Sequence, residues 1–248
     1  MDTMWSIWFF VLGTVLASFG AVVGYRLPKG MKIGTERSQC DTCERQLKGY
    51  ELIPVLSYLA FGGKCRTCRK KITFLYPAVE LLTGALFAFS YIKYGFSAEL
   101  LIACSLIFLS SIIFVSDLLY CIISDKVMIV FFVWFFVLLF ITEYRGWIDA
   151  IGGGLFGFCF LFILAVVSKG GIGGGDIKLM GVIGLVLGFQ GTYFTLMIAS
   201  ITGVLVAIVG LMLKKYTRKT AIPFGPYLVI GAMVTYYYKA ELLALLFS

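Results

Sequence analysis

The chain has 248 residues, of which 60% are hydrophobic, 17% aromatic and only 14% charged, with a net charge of +8 and no histidine. A soluble domain carries about 25% charged residues, so this composition, with a mean hydropathy of +0.98 over the whole length, excludes a soluble protein and points to a polytopic membrane protein. The missing histidine excludes histidine catalysis and histidine metal ligands, and leaves acid–base chemistry to Asp, Glu, Lys, Tyr or Cys.

Residues 4–25 form an apolar run long enough to cross a bilayer, which takes about 20 residues. Asp2 precedes this run and no Lys or Arg does. It therefore lacks the basic flank of a signal peptide and reads as a retained first span. Residues 26–76 are the one long polar segment, with eleven basic and four acidic side chains. The positive-inside rule places such a segment in the cytoplasm, and that bias accounts for its charge without nucleic acid. Spans are predicted at 77–94, 98–117, 126–143, 148–168, 176–190, 192–213 and 224–247, eight in all with the first. The run at 176–190 is short and contains Gly181, Gly184 and Gly188.

Parity then puts the loops near 118–125, 169–175 and 214–223 inside. The last of these holds Lys214, Lys215, Arg218 and Lys219, in independent agreement with the rule. The loops on the other side carry one basic residue, Arg145, and both chain ends fall outside. The expected fold is all-α and polytopic, with about eight transmembrane helices and a small cytoplasmic four-Cys zinc module between the first two.

Cys40, Cys43, Cys65 and Cys68 form two CxxC pairs separated by 21 residues, close to the spacing of four-cysteine zinc sites. Two such turns complete a tetrahedron around Zn2+, and with no open position the metal would be structural. The competing reading is a disulfide or a redox CxxC, which a reducing cytoplasm disfavours. Cys104, Cys121 and Cys159 sit in or beside apolar runs and read as small core residues. Between the pairs, residues 49–59 (Gly-Tyr-Glu-Leu-Ile-Pro-Val-Leu-Ser-Tyr-Leu) are apolar and broken by a proline. They read either as a short helix lying on the membrane or as the core of the zinc module.

Of the thirteen carboxylates, most belong to loops. Glu80, Asp117 and Asp176 are attached to apolar spans, and Asp125 and Asp149 lie at span edges. Asp176 follows Gly170-Gly171-Ile172-Gly173-Gly174-Gly175, five glycines in six residues. An aspartate there is either an N-cap after a flexible loop or a functional group at a membrane boundary. Topology puts Asp117 and Asp176 at the same depth on the cytoplasmic side. Two carboxylates held close share one proton. The ionised one can activate water, while the protonated one polarises a peptide carbonyl and later protonates the leaving amine. The alternative is two unrelated helix caps.

Several stretches together resemble the type IV prepilin peptidases, the GxGD-type membrane aspartyl proteases. They are Ala17-Ser18-Phe19-Gly20 running on to Arg26-Leu27-Pro28; the four-cysteine loop; Glu51-Leu52-Ile53-Pro54-Val55-Leu56-Ser57-Tyr58; Tyr76-Pro77-Ala78-Val79-Glu80-Leu81-Leu82-Thr83-Gly84; Gly173-Gly174-Gly175-Asp176-Ile177-Lys178-Leu179; and Ile222-Pro223-Phe224-Gly225-Pro226. The resemblance runs from about residue 12 to 230. It assigns the catalytic aspartates to Asp117 and Asp176. Where many members have IPD or IPN this chain has Ile123-Ser124-Asp125, which makes Asp125 a rival for the first position, and Ala17 replaces a glycine.

The resemblance implies removal of the N-terminal leader from type IV prepilin or pseudopilin precursors, after a glycine, at the cytoplasmic face of a prokaryotic cell membrane. It also implies N-methylation of the new N-terminal residue with S-adenosylmethionine. That second activity is associated with the N-terminal region, residues 1–94, and proteolysis with residues 95–248. No Rossmann-type glycine fingerprint marks a methyl-donor site, and Arg26, Glu51 and Glu80 are the candidates for it. Two other classes compete: a transporter or channel using the aspartates as a proton relay, which predicts substrate flux, and an assembly scaffold, which predicts that both aspartates are dispensable.

Overall fold

A computed structural model describes residues 2–34, 37–40, 42–214 and 223–247. Glu36, Asp41, Ile222 and the basic residues Lys215, Arg218 and Lys219 lie outside the described residues. Among the described residues the α-helices are α1 (Asp2–Arg26), α2 (Leu56–Ala60), α3 (Leu75–Tyr94), α4 (Ala98–Tyr120), α5 (Asp125–Thr142), α6 (Trp147–Val167), α7 (Gly174–Met212) and α8 (Gly225–Phe247). Six helical stretches among the described residues, all but α2 and α8, are long and apolar enough to cross a membrane by length and composition. A helix apolar on every side has no solvent face, and Ile92, Phe140, Ile148 and Val167 are accordingly large apolar side chains left exposed on these helices.

The chain divides into two compact units, residues 1–116 and 117–248. In the first, α1 packs closely on α3. A Cβ placed on Gly84 would lie 2.6 Å from the Thr14 methyl carbon and 2.8 Å from the Phe10 carbonyl oxygen. Lipid gives no hydrophobic drive between helices, so close contact of small residues holds them together. Ala21, Val79 and Val115 join α1, α3 and α4 in a buried cluster.

In the second unit, α7 has 39 residues and is broken at Gly188, where φ is +68° and ψ −179°. A straight helix would separate residues 180 and 192 by about 18 Å. Yet a Cβ on Gly157 would touch both the Met180 side chain, at 2.9 Å, and the Thr192 methyl carbon, at 3.0 Å. The chain therefore folds back at Gly188, and the two predicted spans at 176–190 and 192–213 are the two arms of one hairpin. Helix α6 lies against both arms. A Cβ on Gly153 would fall 2.4 Å from the Gly188 carbonyl carbon, and one on Gly184 would fall 2.4 Å from the Gly153 carbonyl oxygen. Asp149 accepts the Phe189 N–H at 2.9 Å and Arg145 holds Asp149 at 2.5 Å, which secures the turn.

The packing gives a contrast between neighbours. Gly153→Ala should destabilise the protein by about 1–3 kcal/mol through overpacking. Gly152→Ala, with nothing within 4 Å of the added Cβ, should leave it unchanged or slightly more stable. Thermal unfolding of both variants in detergent measures the difference.

Candidate active site

Asp117 stands in the last turn of α4 and Asp176 in the first turn of α7. Both are buried, 4% and 8% exposed respectively. Asp176 feels the negative charge of Asp117. Cys121, just past α4 with φ +52°, senses both: burial pushes its thiol up first, then the negative charges of Asp117 and Asp176. Asp117 Oδ2 accepts the Gly225 backbone N–H at 2.8 Å, while Asp176 Oδ1 is buried without a hydrogen-bond partner. Gly225 opens α8, so three helix ends meet at this pair. That amide was not anticipated from sequence. The only signal was the IPFGP stretch, quoted for its resemblance and not for a contact.

The glycine run does several different things. Gly170, with φ +91°, ends α6 by donating to Ala165 O at 2.9 Å. Gly173 is the N-cap residue of α7, with extended backbone, so Asp176 is not the cap. Gly175 lies against Ile123, where a Cβ would come within 2.7 Å of that side chain, whereas Gly174 faces open space. Asp125 is elsewhere in kind: it begins α5, is well exposed, and pairs with Lys178 at 2.6 Å.

In the first unit the four cysteine sulfurs lie within 4.8 Å of one another. Cys40 to Cys68 is 3.7 Å and Cys43 to Cys65 is 4.0 Å. Thiolates about 2.3 Å from a tetrahedral zinc stand about 3.8 Å apart, so the four sulfurs fit that ion.

The two pairs are the same turn built twice. Cys40 N donates to Arg45 O and Glu44 N to Cys40 O; Cys65 N donates to Lys70 O and Arg69 N to Cys65 O. Bridges at Gln39–Gln46 and Lys64–Lys71 close them. Within the turns, the amides of Thr42 and Cys43 hold the Cys40 thiol low, and those of Cys68 and Thr67 bring Cys65 to about 6. The Lys70 amide pulls Cys68 down, but burial and the neighbouring thiols outweigh it and leave Cys68 at about 11. Four clustered sulfurs cannot all ionise without a cation among them.

Beside this module lies a cavity of about 520 Å3 lined by Arg26, Glu51 and Glu80 together with Tyr25, Tyr58 and Phe61. Glu51 is committed to its own loop. It takes two hydrogen bonds from Arg45, at 2.7 and 3.1 Å, and one from the Lys48 amide at 2.8 Å. Arg45 first and the amide second bring its carboxyl to about 2. Glu80 is buried and accepts the Val55 amide at 2.8 Å and a bond from Ser18. The three methyl-donor candidates thus share one cavity, though two of them also hold its wall.

These features define a multi-pass helical membrane protein with a buried carboxylate pair and a four-thiolate module. Residues 11–94 match the bacterial peptidase A24 N-terminal domain and residues 100–208 the type IV leader peptidase family. The chain is 36% identical to the prepilin leader peptidase/N-methyltransferase of Bacillus subtilis (strain 168), over 95% of each chain. It is 32% identical to the protein of that name from Pseudomonas putida, over 94% of this chain and 91% of the other. The protein so named from Pseudomonas aeruginosa is also 32% identical, over 90% and 87%. The chain belongs to the type IV leader peptidase family. No solved structure matches it.

Proposed function

We propose that this protein cleaves the leader from type IV prepilin or pseudopilin precursors at the cytoplasmic membrane face, using Asp117 and Asp176, and methylates the N-terminus so exposed. The observation that carries the reading is the buried pair of carboxylates, drawn from α4 and α7 in a member of a leader peptidase family. The Gly225 amide favours negative charge on Asp117, which suits it to take a proton from water as the oxygen attacks the scissile carbonyl carbon. Asp176, whose Oδ1 is buried without a hydrogen-bond partner, suits the shared proton, which it gives to the carbonyl oxygen and recovers as the tetrahedral intermediate collapses; the leaving amine takes the proton that Asp117 received from water. The strongly basic segment at 26–76 supports a cytoplasmic position for this face.

For methylation, the cavity beside the cysteine module has the size of small-molecule sites, about 300–1,000 Å3. Its donors suit S-adenosylmethionine: aromatic rings for a base, Glu80 for positive charge and Arg26 for a carboxylate. When bound, S-adenosylmethionine would supply an electrophilic methyl group to the new N-terminal amine. The four cysteines would hold zinc as a structural brace for the cavity wall.

Incubation with a pseudopilin precursor and S-adenosylmethionine, read by mass spectrometry, tests both steps. The expected product lacks its leader and carries one added methyl group. An intact precursor overturns the proteolytic reading, and a trimmed but unmethylated product overturns the second activity alone.

A further inference from the structure

Residues 49–60 join the two cysteine turns, and Glu51, Leu52, Ser57 and Tyr58 of this stretch line the cavity. They run from a 3-10 turn (Gly49–Leu52) through Pro54 into α2. We propose that this strap is a membrane-surface element, with Leu56 and Leu59 in the headgroup–acyl boundary of an anionic phospholipid bilayer.

Depth is the first observation. Val55 has φ +61° and ψ −50°, and Leu56 N bonds to Pro54 O at 2.5 Å, so a γ-turn is centred on a β-branched residue. That conformation is strained and needs an external hold. The hold is Glu80, which accepts the Val55 amide. Glu80 lies five residues inside a spanning helix, about 7.5 Å beyond its start at Leu75. With the bilayer edge at the start of α3, the strap is pinned at the depth where interfacial helices sit, about 5–10 Å into the headgroup boundary.

The second observation is which way the side chains face. Ser57 and Tyr58 line the cavity. Leu56 and Leu59, on the opposite side of the same helical turn, are 63% and 69% exposed. Phe74, the residue before α3 and in ring contact with Tyr58, is 65% exposed. Water is a poor neighbour for three such exposed side chains on the segments that lead into a spanning helix. The surrounding charge selects the lipid: Lys48, Lys64, Lys70 and Lys71 are exposed in the turns that bracket the strap. Basic residues at a membrane surface favour anionic headgroups.

The test uses the full chain in proteoliposomes with a photoreactive residue, Leu59→p-benzoylphenylalanine. Ser57, substituted in the same way, serves as the cavity-facing control, and Ile92, exposed on α3, as the lipid-facing control. In vesicles containing phosphatidylglycerol, irradiation at position 59 should give a phospholipid adduct comparable to that at 92 and well above that at 57. Replacing phosphatidylglycerol with phosphatidylcholine should lower the yield at 59 by at least about fivefold, the factor expected from a single lysine near an anionic surface, and leave position 92 unchanged. Lipid adducts at 59 no more frequent than at 57 overturn the proposal, as does cross-linking to a second copy of the chain. Equal yields in both lipids overturn the choice of anionic headgroups. Zinc content and thermal unfolding of each variant confirm that it is folded. The readout does not depend on peptidase or methyl-transfer activity.

Discussion

Asp117→Asn and Asp176→Asn should each lower cleavage of a prepilin by about a thousandfold or more, because one positioned acid–base group contributes on the order of 10²–10⁴ and the proposed mechanism has the two share one proton. Asparagine keeps the size of the side chain and, at position 117, an oxygen to accept the Gly225 amide. The variants should therefore insert and fold normally. Asp125→Asn is the discriminating control. It removes only an exposed ion pair with Lys178, worth about 0–1 kcal/mol, so cleavage should stay within about fivefold. The measurement is single-turnover cleavage in detergent at matched protein levels. Normal cleavage by Asp117→Asn together with a dead Asp125→Asn would move the first catalytic position to Asp125.

The second large effect concerns the cysteines. Protein purified under reducing conditions should hold one zinc per chain. Cys43→Ser combined with Cys65→Ser should abolish that binding, since two thiolate ligands are lost and apparent zinc affinity at such sites is about 10–16 kcal/mol. Because these turns border the cavity of the first unit, methyl transfer should fall at least about tenfold, as it does when metal supports are removed elsewhere. Cleavage, which we propose uses aspartates of the second unit, should fall much less. Absence of stoichiometric zinc overturns the assignment.

Several of these features could be read from the residues alone. The apolar runs have lengths that only a bilayer requires, and the paired CxxC spacing has few other uses. Asp117 and Asp176 stand out because so few carboxylates adjoin the spans. Other features were hidden for physical reasons. The hold of Gly225 on Asp117 joins residues 108 apart through a backbone amide, which no side-chain pattern encodes. Glu80 and Glu51 read as possible ligand groups; that their oxygens also anchor loops depends on where Val55 and Arg45 come to rest. Gly188 could not be told from Gly181 or Gly184 by sequence. Only its positive φ makes it the turn, while Gly184 serves close packing.

That turn has one more consequence, for the lipid. The first arm of α7, residues 174–187, has 14 residues and rises only about 21 Å, against a hydrocarbon core of about 30 Å. It ends in polar groups on both sides: Asp176 at one end and the Arg145–Asp149 pair at the other. Such an arm is too short for an ordinary bilayer, and hydrophobic mismatch is relieved by local thinning of the membrane. The carboxylate pair would then sit in a shallow dimple of the bilayer, where a substrate helix meets water earlier along its length than it would elsewhere.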